Sequence, residues 1–139
     1  MKRLVLDASV AAKWFFNEPG SNQALKIAAE GPEWIVPDLF FPEMGNLFWK
    51  KCRRGEIESQ DAKTAMVALR SLGIRQREGR DLIHYALELA LEFQCTADDG
   101  LYLSVAIDEG CPLLTADRKF YNLFSSTALG EYLLWIEDV

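Results

Sequence analysis

The chain has 139 residues, half of them apolar and 26% charged, which suits one soluble domain (1–139) with a full hydrophobic core. These proportions exclude whole-chain disorder and fibrous classes, and no apolar run approaches the roughly 20 residues of a membrane span. The net charge of −6 argues at first against a nucleic-acid partner.

Arg3 to Leu6 reads as a short buried strand ending at Asp7. Its apolar run is too short for a signal peptide, so export is not expected and the chain reads as cytoplasmic. Ser9 is placed to cap a helix through Ala11, Ala12, Trp14 and Phe15, which Pro19-Gly20 stops. Ser21 opens a second helix, ended by Gly31-Pro32. Trp34-Ile35-Val36 is the next strand. A long helix spans about Leu39 to Arg54, with Pro42 confined to its first turn because proline breaks a helix deeper in.

Ser59 starts another helix, with Ala62, Ala65, Met66, Leu69 and Leu72 on one face and Gly73 at its end. Asp81 to Phe93 is helical again. Asp98 or Asp99 then opens a helix that ends at Gly110. Pro112 to Thr115 is a third strand, Asp117 begins a short helix to Phe124, and Leu133 to Ile136 is a last strand. Short apolar strands alternating with helices predict an α/β sandwich with a parallel, doubly covered sheet.

Charge is unevenly spread. The stretch from Phe48 to Arg80 holds nine basic and four acidic residues, and the remainder is strongly acidic. A local basic patch attracts phosphate whatever the total charge, while the same residues also serve as solvated helix faces. Cys52, Cys95 and Cys111 match no zinc spacing and read as reduced thiols.

In an open α/β sheet, ligands bind at the carboxyl ends of the strands. Asp7 follows the first strand, Glu43 sits early in the helix after the second, Asp98 and Asp99 open a helix, and Asp117 follows the third strand. Singly, each acid also suits a helix cap or a helix dipole. Together they put carboxylates from four separate segments at one edge. Such carboxylates repel each other unless protonated or neutralised by a cation. An all-oxygen donor set suits magnesium or manganese, and that chemistry implies metal-assisted phosphodiester hydrolysis.

Four stretches then resemble one family. Val5-Leu6-Asp7-Ala8-Ser9-Val10, Pro42-Glu43-Met44-Gly45-Asn46-Leu47, Thr96 through Ala106, and Pro112-Leu113-Leu114-Thr115-Ala116-Asp117-Arg118-Lys119 resemble, in order, the motifs of PIN domains, as found in VapC-type toxins of prokaryotic toxin–antitoxin pairs. The resemblance implies a PIN-like three-layer α/β/α sandwich and a Mg2+- or Mn2+-dependent endoribonuclease. It maps Asp7, Glu43, Asp99 and Asp117 onto the family's acidic quartet. Asp7 and Asp99 become the expected metal ligands, with Glu43 and Asp117 acting directly or through water. Ser9 and Thr115 become supporting hydroxyls, although Ser9 suits a plain cap equally. The resemblance also implies a VapB-type antitoxin that blocks the acidic groove, and a homodimer.

Two positions depart from the motif. Gly100 stands where alanine is usual, and Asp98 adds a second acid beside Asp99, as a cap or an extension of the site. The spacing to Tyr102 favours Asp99. For RNA contact, Arg118 and Lys119 lie nearest the acids by sequence, and Lys50, Lys51, Arg53 and Arg54 end the helix that carries Glu43. His84, the only histidine, reads as structural. The four tryptophans suit the core or base stacking, and Trp14-Phe15-Phe16 is expected to expose one ring to a partner.

Other readings weigh against these. A PIN nuclease of housekeeping RNA processing and an inactive PIN-like adaptor share the fold; all four acids are present, which favours activity. An Asp7-nucleophile phosphotransferase needs a second Asp where Ser9 stands. A receiver module needs a Lys after a late strand, and a dinucleotide-binding domain needs its glycine-rich loop.

Overall fold

The computed structural model describes residues 2–139. Five parallel strands form one sheet: β1 (Arg3–Leu6), β2 (Glu33–Pro37), β3 (Arg75–Arg77), β4 (Leu113–Thr115) and β5 (Leu133–Trp135), in the order β3-β2-β1-β4-β5. β1 is central. It pairs Val5 with Ile35 on one side and with Leu113 on the other. Leu4, Val5 and Leu6 are all fully buried, so both faces of β1 are covered. Each such side chain contributes about 1.5–3 kcal/mol by leaving water.

Among the described residues, seven α-helices cover the sheet: α1 (Ala8–Phe15), α2 (Ser21–Ala29), α3 (Phe40–Arg53), α4 (Ser59–Arg70), α5 (Gly79–Phe93), α6 (Ala97–Glu109) and α7 (Arg118–Phe124). α1 packs on α2 and α3, and α3 on α4. α5 packs on α6, which lies across β1, β2 and β4. The result is the expected three-layer sandwich. Among the described residues, no helix is long and apolar enough to cross a membrane, and the three cysteines form no disulfide.

The sheet reverses its winding between β1 and β4, because one half continues through β2 and the other through β5. This is the switch point at which the strand ends leave a crevice. The last residues of β1 and β4 therefore lead directly into the site.

Several local expectations are corrected. α1 begins at Ala8, so Ser9 lies inside its first turn and caps nothing. Its hydroxyl is turned to Asp7 instead. Neither Asp98 nor Asp99 caps α6; Thr96 does, accepting from the Asp99 amide at 3.1 Å. Trp14, Phe15 and Phe16 all pack against the core, Trp14 donating its indole N–H to the Ala24 carbonyl at 3.1 Å. Phe15 meets Phe48 edge-on and Phe16 packs against it at a tilt. β3 carries no apolar signal. It is an edge strand of Arg-Gln-Arg, held by its ladder to β2 and by ion pairs of Arg75 with Glu33 and Glu109 and of Arg77 with Asp108 and Glu109.

Gly100 has a steric reason. A Cβ there would fall on the Ala86 carbonyl oxygen of α5, with the Ala86 Cα only 3.1 Å away. The backbones of α5 and α6 touch at this point, and only glycine fits. Ser104 strengthens the same turn, donating to the Gly100 carbonyl at 2.7 Å. Gly100→Ala is expected to lower stability by about 1–3 kcal/mol through overpacking, despite alanine's better helix propensity. Urea denaturation would show a lower midpoint at unchanged slope.

Candidate active site at the carboxyl edge of the sheet

Asp7 directly follows β1 and is the residue on which the site is assembled. One carboxylate oxygen, Oδ2, accepts from Ser9 at 2.7 Å and from Thr115 at 2.7 Å. Both hydroxyls are held in turn. Ser9 Oγ accepts from the Ala116 amide at 3.0 Å, and Thr115 Oγ1 from the Asp117 amide at 3.1 Å. Thr115 is fully buried beneath the site. This relay stitches the end of β1 to the end of β4, and the Ser9 backbone amide also favours the Asp7 carboxylate.

Glu43 reaches the same place from the first turn of α3. Tyr102, one turn after Asp99 on α6, donates its phenol to Glu43 Oε1 at 2.7 Å. Asp117 caps α7 by accepting from the Phe120 amide at 3.1 Å, and its side chain also borders the site. Asp7, Ser9, Glu43, Asp99 and Asp117 line one cavity of about 170 Å³, with Ala8, Tyr102 and Phe120 completing its wall. Four chain segments thus bring their acids together, as the sequence implies.

The electrostatics fit a crowded carboxylate site. Burial pushes the Asp7 carboxyl up, against the pull of its two hydroxyl donors, and Asp117 adds repulsion. Asp99 is raised by burial and then by Asp7. Glu43 is pushed up to about 7, first by burial and then by Asp7, Asp98 and Asp99, while Tyr102 opposes the shift. Burial and the Glu43 carboxylate hold the Tyr102 phenol protonated.

Other predicted residues fall elsewhere. Asp98 is exposed and lies outside the cavity lining, although its charge is felt at Glu43. Arg118 stacks its guanidinium 3.8 Å over the Trp135 ring, and Lys119 is exposed. Lys50 borders a groove that begins at Ser9 and Glu43, and Arg53 and Arg54 lie further along α3. His84 is on the surface, facing Glu88 at 3.0 Å. Sequence reasoning passed over two members of the wall. Tyr102 was used only for spacing, although its position three residues after Asp99 puts it on the same helix face. Phe120 carries no polar signal.

The residues supply only oxygen donors, the set that suits a hard divalent ion. Among the described residues, no three His, Cys, Asp or Glu side chains are arranged to enclose a metal by themselves.

A PIN domain model matches residues 4–123. The chain belongs to the PIN domain family. This PIN domain is 30% identical over 124 residues to ribonuclease VapC3 of Pyrobaculum aerophilum, covering 88% of this chain and 95% of that one. Its fold is shared by VapC20 of Mycobacterium tuberculosis, a sarcin-ricin-loop-cleaving toxin, with a TM-score of 0.70, 18% identity and coverage of 87% of this chain and 95% of that one. A toxin–antitoxin complex from Klebsiella pneumoniae matches with a TM-score of 0.65, 14% identity and coverage of 98% and 99%.

An acid whose pKa is raised by folding costs the fold nothing while it stays protonated. Stability then falls as pH rises past the unfolded pKa, and levels off beyond the folded one. For Glu43 that window runs from 4.5 to about 7. In chelator-treated protein, Tm is expected to drop by several degrees across this window. Glu43→Gln should flatten much of the decline, and Asp7→Asn should raise Tm at pH 8. A flat profile in wild-type protein would contradict the assigned electrostatics.

Proposed function

We propose that this PIN domain is a Mg2+- or Mn2+-dependent endoribonuclease and the toxin of a toxin–antitoxin pair. One observation carries the reading: four carboxylates from separate segments share one small cavity, and the three inner ones are driven toward their neutral forms. Such an arrangement gains most from a cation. The 30% identity to a VapC ribonuclease supports the same reaction.

Asp7 and Asp99 would hold the ion, with Glu43 and Asp117 acting directly or through water. Bound there, the ion would supply charge neutralisation at a phosphoryl oxygen and lower the pKa of a water. Ser9 and Thr115 both donate to Asp7 Oδ2 and so fix the orientation of the carboxylate that would coordinate the ion. Tyr102 fixes the Glu43 carboxyl in the wall, where it holds a proton near neutral pH. Entry of a cation would displace that proton. Lys50, Arg53, Arg54 and Lys119 would hold the RNA backbone, whereas Arg118 is committed to Trp135.

The implied partners find surfaces of suitable character. An apolar groove of about 410 Å³ lies among α1, α2, β2 and α4, lined by Trp14, Phe15, Leu25, Trp34 and Leu72, and would take the apolar face of an antitoxin segment. A basic antitoxin side chain would enter the acidic cavity. Ile83, Leu87 and Leu91 form an exposed stripe on α5 that would be covered in a homodimer.

Antitoxin-free protein is expected to cut total RNA into discrete fragments with Mg2+ or Mn2+. Cleavage should vanish with EDTA, with Asp7→Asn and with Asp99→Asn, while both variants stay folded. Asp98→Asn should keep most of the activity; a loss equal to that of Asp99→Asn would reverse the assignment of this pair. Calorimetry in buffers of different ionisation enthalpy should show proton release on Mn2+ binding at pH 7, reduced in Glu43→Gln. Uncut RNA with well-folded wild-type protein would overturn the enzymatic reading.

A further inference from the structure

α3 carries a continuous stripe away from the acidic cavity. Glu43, Asn46, Lys50 and Arg53 or Arg54 recur at three- and four-residue spacing, so they share one face of the helix. The surface over this stripe is hollow. A groove of about 340 Å³ starts at Ser9 and Glu43 and reaches Lys50. There it meets a second hollow of about 360 Å³, lined by Trp49, Lys50, Arg53 and Arg54. The two hollows share Lys50, and the first shares Ser9 and Glu43 with the acidic cavity. Shared lining residues thus link the three hollows in succession from Asp7 to Arg54.

Its far end differs in chemistry from the ion-paired members of the basic middle segment, Lys51, Arg75 and Arg77. Arg75 and Arg77 are spent on Glu33, Asp108 and Glu109, and Lys51 on Glu56. Lys50, Arg53 and Arg54 make no ion pair among the described residues. Trp49 is 54% exposed, whereas Trp34 is buried and Trp14 and Trp135 are partly covered. The Arg53 guanidinium lies 5.0 Å from the centre of the Trp49 ring and holds the indole in place. An exposed, braced indole among three unpaired cations is a stacking platform with phosphate contacts at its rim. Measured along the axis, Trp49 is about 9 Å and Arg53 about 15 Å from Glu43, the reach of a few nucleotides.

We propose that Trp49 is a base-stacking subsite for single-stranded RNA, with Lys50, Arg53 and Arg54 contacting the phosphates that connect it to the scissile bond. The assignment deepens the ribonuclease reading and rests on it for the direction of the strand. It gives the enzyme a requirement for unpaired bases to one side of the cut, because a base inside a duplex cannot offer its face to the indole.

The test is binding without cleavage. Asp99→Asn protein in EDTA is titrated into a fluorescein-labelled single-stranded oligoribonucleotide of mixed sequence, and anisotropy is followed at several salt concentrations. Adding Trp49→Ala is expected to weaken binding about tenfold at unchanged salt dependence, and Trp49→Phe to restore most of it. Arg54→Ala should reduce the slope of log affinity against log salt by about 0.7. The same sequence presented as a duplex should lose the Trp49 dependence. Equal affinity of Trp49→Ala and its parent for the single strand would overturn the proposal, as would a change confined to oligomeric state. Cleavage by wild-type protein is scored separately, so an inert enzyme that still binds through Trp49 would sink the ribonuclease reading alone.

Discussion

Like charges in a shared cavity are the constraint around which this molecule is organised. Asp7 is held at the interior, because it directly follows Leu4, Val5 and Leu6, all of them buried. Its charge is tolerated through two hydroxyl donors, one from the helix that follows and one from the neighbouring strand. The Thr115 donor is in reach because β1 and β4 are adjacent and parallel, with Leu6 opposite Leu114. The central pairing of the sheet and the local chemistry of the site are thus the same interaction seen at two scales. Three further acids arrive at the edge of this carboxylate, and each raises the cost of the others. The fold holds them there by burying the elements that carry them.

α6 shows how that holding works. It has no polar face through its middle: residues Gly100 to Ala106 are all buried. It is fixed at its start by the Thr96 cap and at its end by Glu109, which Arg3, Arg75 and Arg77 surround. Between these points it lies so close to α5 that a side chain at position 100 has no room. Asp99 and Tyr102 therefore ride on a helix with little freedom to shift, which is what a site needing sub-ångström placement demands.

The core of this arrangement was legible in the residues. The apolar runs at Leu4–Leu6, Trp34–Val36 and Leu113–Leu114 announce buried parallel strands, and each is followed at once by an acid or a helix start. β3 was illegible because its stability comes from partners far along the chain. Arg-Gln-Arg looks like loop until Glu33, Asp108 and Glu109 are seen around it. The role of Ser9, open between cap and supporting hydroxyl, and the reason for Gly100 were beyond local sequence for a related reason. Both are decided by what lies across the fold: the Asp7 carboxylate and Ala116 amide for one, the α5 backbone for the other. Local propensity had nothing to say about either. Trp14, Phe15 and Phe16 packed more fully than a single helix face permits because α2, β2 and α3 approach them from different directions.

The ion-paired edge at β3 has one more consequence. An open sheet edge displays unsatisfied amides and carbonyls, and a flat apolar edge invites another chain to add a strand. Here the terminal strand is three residues long and carries two arginines tethered to acids of α6 and β2. An incoming strand would have to displace those pairs and accept a row of cations beside it. At the opposite edge, α7 and the short turn at Ala128–Tyr132 pack against β5. The β3 side of the sheet is thus guarded by charge against growth by strand addition.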